Sequence, residues 1–471
     1  MQKLFRDCYD LDKKCYDKYG LSEDILMEHA ATAMEQVIRN KFESGSSVLI
    51  VCGSGNNGAD GTTLARLLYS DYKVRLFIPF GAKSEMAQLQ MQRAKMLGVS
   101  PVKKLKESDI IVDALFGAGL NRELNSQSID IIDTLNSFEG YKIACDIPSG
   151  LSKEGSPSPV AFRADCTVTM GALKEALFLD AAKDYVGDVE VANLGISRDL
   201  YEGESSTYLL EKSDFRAPFR EKKDCHKGSF GHVAVFAGEK EGAAIIAAMA
   251  ATRFGAGLTT VVNNRDFVIP PYLMHANSVP KNATAIAIGM GLGNCFDDEI
   301  FTKEVIKSSA PIVLDADALS HKKLLSVLKQ KREIVVTPHP KEFQRLLKLL
   351  MGVEMGVAEI QKKRFELARE FTQQFPNVTL LLKGANPIIA HDGKLYVNPH
   401  GSHVLAKGGS GDVLSGLIAA LLAQGYSSLD AAIHGSLALA LASVEYRKNS
   451  YYMLAIDIIE LLGEIKNEPY N

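Results

Sequence analysis

Three stretches in the first half of the chain put amides and carboxylates where an open parallel sheet gathers its ligands, at the carboxyl ends of strands. "GSGNNGADG", residues 53–61, follows the apolar run "SVLIVC" and satisfies G-x-G-x-x-G. Its glycines let the backbone approach a phosphate or a ring, and the helix start that follows offers unpaired N–H donors. Asn56, Asn57 and Asp60 are more than a dinucleotide loop needs. A redox Rossmann domain adds an acid about twenty residues on to hold the ribose. Here the corresponding strand ends "LFIPFG", which weighs against hydride transfer. Two further strand ends carry Asp113, in "DALFGAGLNRE", and Asp146 with Ser149, in "CDIPSG". Their oxygens could ligate a hard cation, with a remaining aspartate as acid or base. Alternatively, each caps a helix or braces a turn.

A second glycine cluster, "AKGGSGDVLSGLIAALL", precedes an apolar helix and presents several N–H groups to an anion. It is not a Walker A loop, because Lys407 precedes the glycines. Asp412 beside this positive end is either a simple first-turn residue or a base poised next to a bound phosphate. His339, between two prolines at a strand end, is either a ligand contact or a structural loop residue.

The elements that must hold these residues read as α/β throughout. From 47 to about 195, "SVLIVC", "KVRLFIP", "DIIVDAL", "YKIACDI", "CTVTM" and "DVEVANL" alternate with amphipathic stretches, the rhythm of a mostly parallel sheet covered on both faces. "SEDILMEHAATAMEQVIRNKFES" predicts a helix packed on that sheet. The rhythm breaks at the polar segment "EGESSTYLLEKSDFRAPFREKKDCHKG", the expected seam between domains 1–212 and 213–471. It restarts with "HVAVFAG", "LTTVVN", "TAIAIG", "PIVLDAD", "EIVVTPHP", "VTLLLKG" and "PIIAHDG". "GDVLSGLIAALLAQG" and "LDAAIHGSLALALASVEYRK" are apolar on nearly every face and should be buried helices that leave room for a homo-oligomer interface.

At 471 residues, two cores are expected. A net charge of −4 spread along the chain points to no nucleic-acid partner. The N-terminus lacks a signal-like apolar core, and the longest apolar stretch is too short for a bilayer, so a cytoplasmic protein without membrane contact is expected. Cys8, Cys15, Cys52, Cys145, Cys166, Cys225 and Cys295 show no C-x-x-C spacing and fit reduced thiols.

"GSGNNGADG", "DALFGAGL" and "DIPSG", in this order, resemble the NAD(P)H-hydrate epimerase domain. The resemblance implies contacts to a hydrated nicotinamide dinucleotide at Asn56, Asn57, Gly58, Ala59 and Asp60, at Gly117, Ala118, Gly119, Leu120, Asn121, Arg122 and Glu123, and at Asp146, the expected acid/base. It also implies K⁺ held by Asn57, Asp113 and Ser149. Ala59 stands where the family usually has a second glycine. The late G-x-G-D resembles the ribokinase-like superfamily. With "HKGSFGHVAVFAGEKEGAAIIAA", "FGAGLTTV", "GMGLG", "DADAL", "TPHPKEF" and "LLKGA", the second half is similar to the ADP-dependent NAD(P)H-hydrate dehydratase. That implies a Rossmann-like three-layer sandwich followed by a ribokinase-like domain, with Mg²⁺ and ADP used in the second. Ala256, Gly291, His339 and Asp412 are expected at the hydrated NADH or NADPH, with Asp412 as catalytic base. Lys383, Gly384, Ala385, Asn386 and Pro387, with Gly408, Gly409, Ser410 and Gly411, are expected at the adenine nucleotide. The chain reads "KGANP" and "GSHVLAKGGSGD" where the family commonly has "KGAGT" and "GNPxMATGGSGD".

Three other readings compete. A ribokinase-like kinase for a vitamin precursor, fused to a nucleotide-binding module, would release a stable phosphate ester. A non-catalytic first half is opposed by the intact Asn57, Asp113 and Asp146. A nicotinamide-dependent oxidoreductase lacks its ribose acid.

Overall fold

The computed structural model describes residues 1–119, 123–221, 223–265, 267–293 and 298–466. The chain forms two compact units, Lys3–Ser205 and Ser206–Asn471, the latter joined by Met1–Gln2.

In the first unit, six parallel strands run in the order Lys73–Phe77, Ser47–Cys52, Ile110–Ala114, Tyr141–Cys145, Cys166–Met170 and Asp188–Ala192. Side chains alternate across a strand, and "SVLIVC" shows the consequence. Val48, Ile50 and Cys52 join a core with Met34 and Ile38 of the helix Glu23–Lys41 and Leu64 and Leu68 of the helix Asn56–Leu68. Leu49 and Val51 join a separate one with Ile131, Ile132 and Leu135 of the helix Ser126–Ser137. Both faces are therefore covered, as a strand with no polar alternation requires. A short parallel pairing, Leu4 with Leu173 and Phe5 with Lys174, brings the start of the chain beside the beginning of the sheet's last crossover.

In the second unit, parallel strands follow the order Met274–Ala276, Leu258–Val262, His232–Phe236, Ala285–Ile288, Ile312–Leu314, Ile334–Val336 and Val378–Leu382. The next strand, Ile388–His391, breaks the doubly wound pattern expected of "PIIAHDG". It is antiparallel to both Val378–Leu382 and Lys394–Val397. The cause is local: Asp392 and Gly393 take φ +46° and +73°, the two positive values that a tight hairpin turn demands. Thr207–Leu209 pairs parallel with Lys394–Val397. The segment from 206 to 212, grouped by sequence with the first domain, therefore contributes a strand to the second sheet.

Ser410–Ala423 and Ser428–Glu445 are helices buried along almost their whole length. Val413, Leu417, Leu421 and Leu437 share a core with Ala244, Ala247, Ala248 and Ala251 of the helix Glu241–Arg253 and with Val233 and Val261 of the sheet. Most of the apolar surface of these two helices is thus buried inside the unit, while Tyr451, Tyr452, Leu454 and Ile456 beyond them are exposed. Among the described residues no helix is long and apolar enough to cross a membrane.

Candidate active site

Parallel register aligns the strand ends of the first unit, so the loops after Ser47–Cys52, Ile110–Ala114 and Tyr141–Cys145 converge on a cavity of about 750 Å³. Asn56, Asn57 and Asp60 line it, as do Gly117, Ala118, Gly119 and Asp146. Gly58 and Ala59 do not. Ala59 points its methyl into a small cluster with Met27 and Ala87, so the alanine that replaces the family glycine touches packing rather than the cavity. Glu123 is exposed and absent from the lining. Leu120, Asn121 and Arg122 lie outside the described residues.

Asp146 is held in a strained backbone conformation, φ +70°, uncommon for any residue but glycine. Its Oδ1 accepts from Lys174 Nζ at 2.6 Å and from the Met170 N–H at 3.2 Å, and its Oδ2 from the Ala118 N–H at 3.2 Å. Lys174 is 3% exposed and spends its other donors on Thr169 Oγ1 at 2.9 Å and the Met170 carbonyl at 3.1 Å. Burial pushes the Asp146 carboxyl up, but the Lys174 ammonium and these donors outweigh it and hold the group below the usual carboxylate range. The same carboxylate keeps buried Lys174 charged.

Asp113 is fully buried at the neighbouring strand end. Its oxygens accept from the Ser149 N–H and hydroxyl, both at 2.7 Å, and from the Leu115 N–H at 3.2 Å. Burial pushes its carboxyl up to about 6, with no cationic side chain paired to it among the described residues. Ser149 Oγ also accepts from the Phe116 N–H at 2.9 Å. The buried Asn57 amide nitrogen has no hydrogen-bond partner. These are oxygen-rich, charge-deficient surroundings that suit a hard monovalent cation. Gly117 closes this corner: a Cβ there would lie 3.0 Å from Asn57 Oδ1 and 3.1 Å from Asp146 Oδ2. Only glycine leaves that space open.

Asp12 and Cys8 also line the cavity, and the Tyr201 hydroxyl donates to Asp12 Oδ1 at 2.7 Å. Neither Asp12 nor Lys174 stands out in the sequence: one sits in a charged N-terminal helix, the other inside the apolar run "GALKEALFL".

In the second unit, the helix Ser410–Ala423 begins at Gly409, whose φ of +97° turns the "GGSG" backbone into the helix start. Asp412 lies in the first turn, where burial, with the charge of Asp315, pushes its carboxyl up to about 6. Lys383, after the strand Val378–Leu382, donates to Asp315 Oδ1 at 2.7 Å, and Ser415 Oγ donates to Asp315 Oδ2 at 2.9 Å. A Cβ on Gly411 would sit 3.3 Å from Lys383 Nζ, so the lysine and the glycine-rich turn share one site. Asp315 follows the strand Ile312–Leu314 within "DADAL", and strand-end logic applied to that motif would have found it. Gly384, Ala385 and Gly408 are exposed, whereas Asn386 and Ser410 are buried. The Pro387 carbonyl accepts from the Asn398 N–H at 3.0 Å.

Gly291 follows the strand Ala285–Ile288, and His339 follows Ile334–Val336, both at the carboxyl side of the sheet. His339 is a capping residue. Its Nδ1 accepts from the Lys341 N–H at 3.2 Å, and its Nε2 lies 3.1 Å from Glu342 Oε1. Ala256 is not brought to this site. It precedes Leu258–Val262 and so stands at the amino end of the sheet, 4% exposed in the core. Neighbouring Gly255 packs against Gln424, at the far end of Ser410–Ala423. The helix between them puts that end about 18 Å from Asp412.

Comparison with known proteins covers both units. Residues 233–464 match the family described as NAD(P)H-hydrate dehydratase, and residues 23–176 match the family described as YjeF-related protein N-terminus. A bifunctional NAD(P)H-hydrate repair enzyme from Helicobacter pylori is 42% identical over 99% of this chain and 100% of its own length. One from Dictyoglomus turgidum is 33% identical over 96% and 95%. The crystal structure of an ADP/ATP-dependent NAD(P)H-hydrate dehydratase from Bacillus subtilis, co-crystallised with ATP and Mg²⁺, is 29% identical, covers 54% of this chain and 94% of its own, and gives a TM-score of 0.45.

Proposed function

As the chain belongs to the bifunctional NAD(P)H-hydrate repair enzymes, we propose that it returns hydrated NADH and NADPH to use, its first unit interconverting the R and S epimers and its second dehydrating the S epimer with ADP. The observation that carries this reading is 42% identity to a repair enzyme over 99% of the chain, with a family match in each unit.

In the second unit the substrate hydroxyl on ring carbon six is a poor leaving group. Asp412 accepts its proton as ADP gives up its terminal phosphoryl group, and AMP departs. The carbon–oxygen bond to phosphate then breaks, assisted by the ring nitrogen lone pair, and loss of a proton from ring carbon five leaves NAD(P)H and phosphate. A carboxyl raised to about 6 is still ionised near neutral pH yet basic enough to take that proton. The amides of Gly408, Gly409, Ser410 and Gly411 stabilise the transferring group, with Lys383 held beside them by Asp315. Asp315, whose charge also raises the Asp412 carboxyl, is a hard-oxygen donor that would hold Mg²⁺, which would supply charge neutralisation for phosphoryl transfer. The segment from Lys383 to Pro387 borders the adenine nucleotide.

In the first unit Asn56, Asn57, Asp60 and the Gly117–Gly119 turn hold the hydrated ring and its phosphates. Asn57, Asp113 and Ser149 would hold K⁺, which supplies the positive charge that buried Asp113 lacks. Free thiols at Cys8, Cys15, Cys52, Cys145, Cys166 and Cys225 support work in the reducing cytoplasm, where the substrate arises.

The test is incubation with hydrated NADH and ADP, ATP or neither, following the return of dihydronicotinamide absorbance. No return with either nucleotide sinks this reading. An accumulating phosphorylated product would favour the kinase instead.

A further inference from the structure

The first cavity holds two carboxyls of opposite character. Asp146 is saturated by Lys174 and two backbone N–H groups. Asp60, in the second turn of Asn56–Leu68, lines the same cavity, and its carboxyl carries no hydrogen bond or ion pair among the described residues. The groups that act on it are the Asp146, Asp12 and Glu23 carboxylates, the Tyr16 phenol and the Cys52 and Cys145 thiols; of the two lysines lining the cavity, Lys174 is paired with Asp146 and Lys153 forms no ion pair with Asp60. Burial, reinforced by those three carboxylates, keeps the Asp60 carboxyl well above its usual range. Two carboxyls in one cavity whose surroundings push them in opposite directions can divide the roles of proton carrier and fixed charge.

We infer that Asp60, the unpaired carboxyl of this cavity, is the general acid and base of the epimerisation, and that Asp146, fixed by Lys174, positions the loop. This rests on the epimerase reading of the first unit and moves the proton from Asp146, where the sequence suggests it, to its neighbour. In the forward step the Asp60 proton passes to the hydroxyl on ring carbon six. The carbon–oxygen bond breaks, its electron pair leaving with water, and the ring nitrogen lone pair closes a C=N bond. The resulting iminium faces the newly formed Asp60 carboxylate. Water then adds to the opposite face of the carbon, and the proton it sheds reaches Asp60 through solvent in the cavity. One water leaves and one enters, with no oxidant or reductant. Asp146 makes no bond in this sequence. Through the Ala118 N–H it holds the turn that closes the pocket.

The test uses the full-length protein with K⁺, the R epimer of hydrated NADH, no ADP, and water enriched in heavy oxygen. Epimer ratio is read by chromatography and the ring oxygen by mass spectrometry. Heavy oxygen should enter the product at the rate of epimerisation, above the enzyme-free rate. Asp60→Asn should lower epimerisation roughly 100- to 10,000-fold. It should leave ADP-dependent repair of the S epimer and the melting temperature as in the wild type, and Asp60→Glu should restore part of the rate. If wild-type protein does not accelerate epimerisation at all, the epimerase reading falls. If it does but the original oxygen is retained, or Asp60→Asn keeps the wild-type rate, the inference alone is overturned. Should Asp60→Asn melt early, the oxygen readout on the wild type still decides.

Discussion

Replacing Lys174 by methionine keeps most of the side chain's length and apolar stem and deletes one charge. The structure says what that charge does. Lys174 Nζ donates three hydrogen bonds, and the partner it leaves behind, Asp146, is 14% exposed and has no other cation within reach among the described residues. Breaking a buried pair from one side costs about 3–5 kcal/mol, because the remaining charge is desolvated without compensation. For a unit the size of Lys3–Ser205, that corresponds to a fall of roughly 6–20 °C in melting temperature. Adding Asp146→Asn to the lysine variant removes the orphaned charge, and asparagine tolerates the φ of +70° that this position requires. Most of the lost stability should return. The pH dependence supplies a sign. In the wild type the Asp146 carboxyl is depressed, so its contribution is present above the unfolded value and fades as pH falls through the folded one. Without Lys174, burial raises the same carboxyl, and the penalty should be greatest near neutral pH and shrink on acidification. Calorimetry of the full chain between mildly acid and neutral pH measures this. A Lys174→Met protein melting within the ~2–4 °C that one kcal/mol is worth, or a double variant no more stable than the single one, refutes the reasoning.

The dehydratase rate should fall as pH drops through about 6, since Asp412 acts ionised, and a pH–rate profile with saturating ADP checks it. Asp412→Asn should lower ADP-dependent dehydration of either epimer by roughly 100- to 10,000-fold while epimerisation persists; chromatography of the two epimers separates the effects. Asp113→Asn should leave an epimerase whose rate no longer responds when K⁺ is exchanged for choline, whereas repair of the S epimer is untouched. Gly117→Ala drives a methyl against Asn57 and Asp146 at 3.0 and 3.1 Å and should raise the epimerase KM without altering dehydratase kinetics.

What the sequence makes legible here follows from how local the determinant is. Asp113 and Asp146 were visible because a run of β-branched residues announces a strand and its end announces a ligand site; Asp315 obeys the same rule and was overlooked only because "DADAL" was read as a family motif. Ala256 shows the rule's converse: it stands before its strand rather than after it, and a parallel register carries it to the wrong end of the sheet however well its motif matches. The antiparallel end of the second sheet also had a local sign, Asp392-Gly393, passed over in favour of the alternating pattern around it. Lys174 had none. A lysine in "GALKEAL" reads as the solvated edge of a helix, and the pairing of Phe5 with Lys174, far apart in the chain, goes with its placement against Asp146. That pairing decides the chemistry of the pocket. Two aspartates of one cavity, Asp146 at a strand end and Asp60 in the helix Asn56–Leu68, are both candidates for the proton until one of them receives a cation. Asp146 does, which leaves Asp60, marked in the sequence only as a side chain that a dinucleotide loop does not need, as the inferred acid.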